Sequence, residues 1–258
     1  MYYESNQLSK PLFMKHYYER SWHEDWNPIQ FRLHYLTNKG DPISVASISI
    51  PDKDLHFRHK HEHTFGTYQY QYQELREVMV ELDYYTWGSY DHSDELSIEE
   101  VIVHFTDGSK EVISVGKIKF NIKDDEGYEG MLMSSSSGSS SDNTGYTNFS
   151  LEESIVVEGF HVPFQSHLSD ALSIRINNEE INYNSFPITM EDSQLLRIDY
   201  SLSFKEDEEP YQHFYEIEIP FHISTLEGEK RTANVTINYQ PYFSDSLIRE
   251  IVAERGQR

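Results

Sequence analysis

The 258-residue chain contains no cysteine. That absence excludes a disulfide framework, a thiolate zinc site and a cysteine nucleophile. It also sets the expectation of a reducing, cytoplasmic setting, where disulfides are unnecessary. Basic residues are scarce: 21 Lys and Arg stand against 44 Asp and Glu, a formal charge of −23. A surface of that sign argues against direct binding to a nucleic-acid backbone, which needs basic groups to release counterions, and against docking on anionic lipid. Long apolar runs are missing as well. No segment nears the roughly 20 residues a membrane helix needs, and the first residues lack the basic and apolar regions of a signal peptide. The chain has no Gly-x-Ser-x-Gly elbow, no phosphate-binding Gly-Lys-Ser/Thr loop and no dinucleotide fingerprint. His61-Glu62 begins like a zinc-protease helix, but Phe65 stands where the second histidine would have to be. The expectation is a protein that is not an enzyme and carries no organic cofactor.

What is abundant is aromatic: 19 Tyr and 14 Phe, residue types that suit a pleated, half-buried surface. From Ile29 the pattern alternates. Phe31, Leu33 and Tyr35 interleave with Arg32 and His34, the period-2 signature of a strand with one wet face. A change of parity between Val45 and Ala46 predicts a β-bulge. Val78, Val80 and Leu82, then Val101, Val103 and Phe105, then Ile118, Phe120 and Ile122, repeat the alternation. Asp107-Gly108 predicts a two-residue hairpin turn, and Asn177-Asn178 another turn. Leu196–Phe204 and Tyr215–Ile223 are the longest clean runs, and the short acidic link between them predicts that they pair. Near the end, Leu247, Ile248, Ile251 and Val252 share one helical face, with Ser244 or Asp245 as the cap.

Short strands at even spacing with little helix predict an all-β chain: two tandem antiparallel β-sandwich (Ig-like) domains with a short C-terminal helix. The boundaries expected are 1–123 for the first domain, 124–148 for a serine-rich linker or mobile loop, and 149–258 for the second domain, including a helix over 245–254. The serine run 134–141 has nothing to bury, which is why it reads as linker.

Two stretches carry candidate chemistry. On a strand, His59, His61 and His63 would project from one face and could hold a divalent metal if a third ligand came from a neighbouring strand. His92 and His104 are the partners the sequence offers, while Glu62 has the wrong parity. The ordinary alternative is a polar edge strand. Tyr68, Tyr70 and Tyr72, with Tyr84, Trp87 and Tyr90, form the candidate binding surface, since stacked tyrosines suit a glycan or a protein. The competing reading places the tyrosines in the core. Taken together, the sequence favours a non-enzymatic interaction or scaffold protein that presents acidic and aromatic surfaces to another protein with a basic surface. A small-ligand protein binding a glycan or a divalent metal is the alternative. An acidic mimic of nucleic acid, blocking a DNA-binding enzyme, is the remotest.

Overall fold

The computed structural model describes residues 7–23, 28–51, 53, 55–82, 95–123, 131–206 and 208–255. The first half forms strands β1 (Leu12–Phe13), β2 (His16–His23), β3 (Gln30–Asn38), β4 (Val45–Ser49), β5 (His56–Gln69), β6 (Gln73–Leu82), β7 (Glu95–Phe105) and β8 (Lys110–Lys123). The second half forms β9 (Ser134–Ser139), β10 (Thr144–Ser150), β11 (Ile155–Phe160), a single helical turn α1 (Gln165–Leu168), β12 (Leu172–Ile176), β13 (Glu179–Glu180), β14 (Ile188–Met190), β15 (Leu195–Leu202), β16 (Phe214–Thr225), β17 (Lys230–Tyr239) and helix α2 (Asp245–Arg255). The chain is all-β with a short C-terminal helix, as its alternation predicts.

Two compact units share these elements. The first comprises Met1–His16, Glu24–Phe120 and Pro241–Arg258; the second comprises Tyr17–His23 and Asn121–Gln240. The division differs from the expected one at both ends of the chain. The terminal helix joins the first unit, where the Asp245 carboxylate accepts the Gln71 backbone N–H at 3.0 Å. Residues 17–23 join the second, where Arg20 pairs with Glu216 at 2.6 Å and the Ser21 N–H donates to Glu218 at 2.9 Å.

In the first unit the strands run in the order β1-β3-β6-β5-β4-β7-β8. Phe31 of β3 lies edge-on to Phe57 of β5 at 5.0 Å and 6.2 Å from Phe120 of β8. Strands far apart in the order therefore share one core, so the sheet folds over on itself. Segment Leu12–His16 reaches both of its margins: Leu12 and Phe13 pair with β3, and the Lys15 ammonium donates to the Ser114 carbonyl of β8. The register shift expected near Val45 is present, between Val45 and Ser47 of β4 where that strand pairs with β7. The β7–β8 hairpin also forms, but with a longer loop than the two residues expected. Only Gly108 of the pair takes a positive φ, +86°, and the Asp107 carboxylate instead accepts the Ser109 N–H.

The second unit is a two-layer sandwich. One sheet is β13-β12-β15-β10-β9; in the other, β16 is flanked by β17 on one side and by β2 and β11 on the other, with β14 beyond β11. Leu196, Ile198 and Tyr200 of the first layer pack in one core with Ile217, Ile219, Phe221, Val235 and Ile237 of the second. The expected pairing of the two long runs does not occur. β15 pairs with β10 and β12, whereas β16 pairs with β17, because the chain between them crosses from one layer to the other. The serine run is likewise not a linker throughout: Ser134–Ser139 is the edge strand β9, paired antiparallel with β10. A strand needs its backbone ladder more than apolar side chains, and here the serines add to it. Ser135 donates to the Asn148 carbonyl, and the Asn148 amide donates to Ser136 Oγ. Asn177 and Asn178, at φ +50° and +72°, make the turn expected between β12 and β13.

Candidate metal centre

The register of three adjacent strands in the first unit puts unlike polar residues in rows. On β6, Glu77 stands opposite His34 of β3 and opposite His63 of β5. One row along, Met79 stands between Arg32 and His61; the next row is Gln30, Glu81 and Arg58. Directly opposed residues in an antiparallel pair project to the same face, so His34, Glu77, His63 and His61 all rise from one side of the sheet.

Glu77 is only 4% exposed, and His34 only 2%. A carboxylate buried so deeply needs partners, and it has them. His34 Nε2–H donates to Oε2 at 3.1 Å, while Arg32 Nε lies 3.6 Å and His63 Nε2 3.4 Å from Oε1. Burial alone would push the Glu77 carboxyl up. The hydrogen bond from His34 and the cationic neighbours outweigh it and hold the group below its ordinary range, so it is a carboxylate at neutral pH. His34 itself is pushed down by burial, which keeps its ring neutral. Its ring is stacked on that of His16 at 5.4 Å, and its backbone N–H donates to His16 Nε2 at 2.9 Å. This covers the inner end of the row, while His61 and His63 at the outer end are exposed.

His61, His63 and Glu77 each offer a ligand atom, and these atoms all lie within 4.8 Å of one another. A tetrahedral zinc with bonds of about 2.0–2.1 Å holds its ligands about 3.3 Å apart. The His63–Glu77 separation of 3.4 Å already meets that spacing, and His61, exposed on its strand, has the freedom to close the rest. Two imidazoles and one carboxylate form a donor set suited to zinc-like cations, with a remaining position open to solvent.

The three histidines expected on one face divide. The ladder shifts between His59 and His61, so His59 opposes Val80 whereas His61 opposes Met79. The extra residue turns His59 toward the side that Val80 occupies, and Glu77 supplies the third ligand instead. The sequence signal for Glu77 was its place on β6, one strand away at the matching parity, but only the register identifies it. His104 is occupied elsewhere, its Nε2 3.0 Å from Ser49 Oγ, and His92 lies outside the described residues. Glu62, set aside for parity, faces the other side. It accepts the Tyr35 hydroxyl at 2.8 Å and lies 3.6 Å from Arg76. Burial pushes the Tyr35 hydroxyl well above its ordinary range.

The tyrosine stripe is interrupted by a turn. β5 ends at Gln69 and β6 begins at Gln73, so Tyr70 and Tyr72 sit in the connection. Tyr70 is buried, 4% exposed, and Tyr72 is half-buried. The side chain of Tyr68, and Tyr84, Trp87 and Tyr90 entirely, lie outside the described residues.

No protein-family model matches the chain, and no curated protein matches it. Solved structures do match at low similarity. A protein of unknown function from Porphyromonas gingivalis W83 is 9% identical, with 90% of this chain and 99% of that one covered and a TM-score of 0.24. The D00-D0 domain of intimin is 7% identical, with 90% and 100% covered and a TM-score of 0.21. The I9–I11 tandem of titin is 13% identical, with 90% and 66% covered and the same TM-score. Likenesses this distant do not bear on function. Among the described residues, no helix is long and apolar enough to cross a membrane.

Proposed function

We propose that the chain is a non-catalytic binding protein whose first unit takes up a divalent transition metal through His61, His63 and Glu77. One observation carries this reading: three ligand atoms from two strands converge within 4.8 Å of one another. The burial of Glu77 supports it, since a bound cation adds charge compensation for a desolvated carboxylate. Arg32 opposes the cation from the same side, 3.6 Å from the same oxygen, but its half-exposed chain can swing outward. The charge of −23 favours divalent cations in general and, for the molecule as a whole, a protein partner with a basic surface.

Titration with Zn²⁺ by calorimetry tests the site. The wild type should bind one ion, and His61→Ala and Glu77→Gln should each weaken binding at least about tenfold. Arg32→Ala, which removes the competing guanidinium, should tighten it. His61 is exposed, so its variant should keep the wild-type melting temperature without metal. Binding that is absent, or indifferent to all three substitutions, would remove the reading.

A further inference from the structure

The second unit contains a cleft of about 250 Å³ that the metal reading leaves unused. Its origin lies in how β16 is flanked. Along one margin β16 runs first beside β2 and then beside β11, and Pro220 lies near the changeover. Proline has no N–H to donate, and its carbonyl accepts the N–H of His161, the residue after β11. The alternating residues of β16 that face away from the core, Glu218, Pro220 and His222, then line the cleft together with His161, Glu19 and Ser21.

The lining contains two carboxylates, two imidazoles, two asparagines and no lysine or arginine. Arg20, the cation beside it in sequence, pairs with Glu216 at 2.6 Å. The Glu218 carboxyl is pushed up by burial, against the downward pull of its Ser21 hydrogen bonds and the Arg20 charge. A desolvated carboxylate in a cleft without basic side chains is stabilised by a cation that brings its own hydrogen-bond donors. Asn121 already donates to Glu19 at 3.3 Å, which orients the second carboxylate of the lining. A bare metal ion fits less well. Among the described residues only His61, His63 and Glu77 bring ligand atoms within 4.8 Å of one another, and the donors of this cleft are spread more widely. The volume accommodates about eight water-sized groups, the size of a short aliphatic chain ending in an ammonium.

We infer that this cleft binds a primary ammonium on a short alkyl chain, with Glu218 as the charge partner and Glu19 as the second acceptor. The ammonium could be that of a free alkylamine or of a lysine side chain, and the two are separated by the probes. The full chain is titrated at pH 8 with n-butylamine, with Nα-acetyl-lysine methylamide and with the neutral n-pentanol, following the ring resonances of His161 and His222. Saturable shifts are expected with either or both amines and not with pentanol. Saturation by butylamine alone assigns the site to free amines, and by the blocked lysine as well to protein side chains. Glu218→Gln, which retains an acceptor for the Ser21 N–H, should weaken amine binding about tenfold or more, and Glu19→Gln should weaken it less. Equal binding of pentanol, amine binding unchanged in both variants, or no saturable shift with either amine would each overturn the assignment. Both variants are melted alongside the wild type, and a melting temperature unchanged in each excludes a loss that only reflects unfolding.

Discussion

Gly116 stands at φ +100°, a conformation that L side chains rarely adopt, and a Cβ built there would collide with the carbonyl oxygen of His16. Two penalties therefore fall on one position, and they can be separated. Gly40 has a similar left-handed φ, +72°, with nothing near its missing side chain. Gly40→Ala should cost about 1–2 kcal/mol, the strain alone. Gly116→Ala should cost on the order of 3 kcal/mol or more, because backbone that cannot swing away is in contact as well. Urea denaturation of the two variants decides it: equal costs would mean that the His16 segment does not rest on β8 at this point. The consequence reaches the candidate site, because His16 is the ring that stacks on His34 and His34 holds Glu77. At this scale little was legible in advance. The sequence shows that His61 and His63 are two apart, but Glu77 becomes their neighbour only through register. One extra residue in β5, which no composition or period announces, is what removes His59 from the set.

At the scale of elements, the alternating strands were legible wherever one face meets a core and the other meets solvent. β15 and β16 are such strands, and their buried residues are the ones the period picks out; β3 and β6 carry the same apolar period but also bury His34 and Glu77 on the opposite parity. β9 was not legible, because its serines bury nothing and its order comes from the ladder with β10, a non-local partner. β2, His-Tyr-Tyr-Glu-Arg-Ser-Trp-His, was missed for a different reason: it buries His16 and Tyr18, but its polar composition shows no apolar alternation. Helix α2 was legible because it carries both signals at once, an apolar stripe and a cap. Ile248, Ile251 and Val252 are its buried face, and Ser244 Oγ accepts the Leu247 N–H at 3.2 Å. The Ser244 carbonyl also accepts the Ile248 N–H, so Ser244 is the N-cap. Ser244→Ala should destabilise the first unit by about 1 kcal/mol and speed amide exchange at Leu247 selectively. Uniform acceleration along α2 would instead mean that the helix is held by packing alone.

At the scale of the whole molecule the governing quantity is charge. Several of the 21 cations are already engaged in pairs at the surface, among them Lys60–Glu81 at 2.7 Å and Arg231–Glu153 at 2.8 Å. Each exposed pair of this kind contributes at most about 1 kcal/mol and is weakened by salt. Against them stands the mutual repulsion of an excess of 23 negative charges, which acts over longer distances and opposes compaction. Salt screens both, but not equally. Raising ionic strength from 0.01 to 0.1 M shortens the screening length from about 30 Å to about 10 Å. That change removes repulsion between distant carboxylates while leaving ion pairs near contact largely intact. The melting temperature should therefore rise over this range, by about 2–4 °C for each kcal/mol of repulsion relieved in a chain of this size. Sodium and potassium chloride should act alike, because screening depends on ionic strength and not on coordination. A melting temperature that falls with salt would show that local pairs outweigh the field. Micromolar Zn²⁺ adds almost nothing to ionic strength, so a rise it produces at constant salt belongs to the His61–His63–Glu77 site and not to the field. Comparing the two additions thus separates the local binding of a metal from the general relief of an acidic surface.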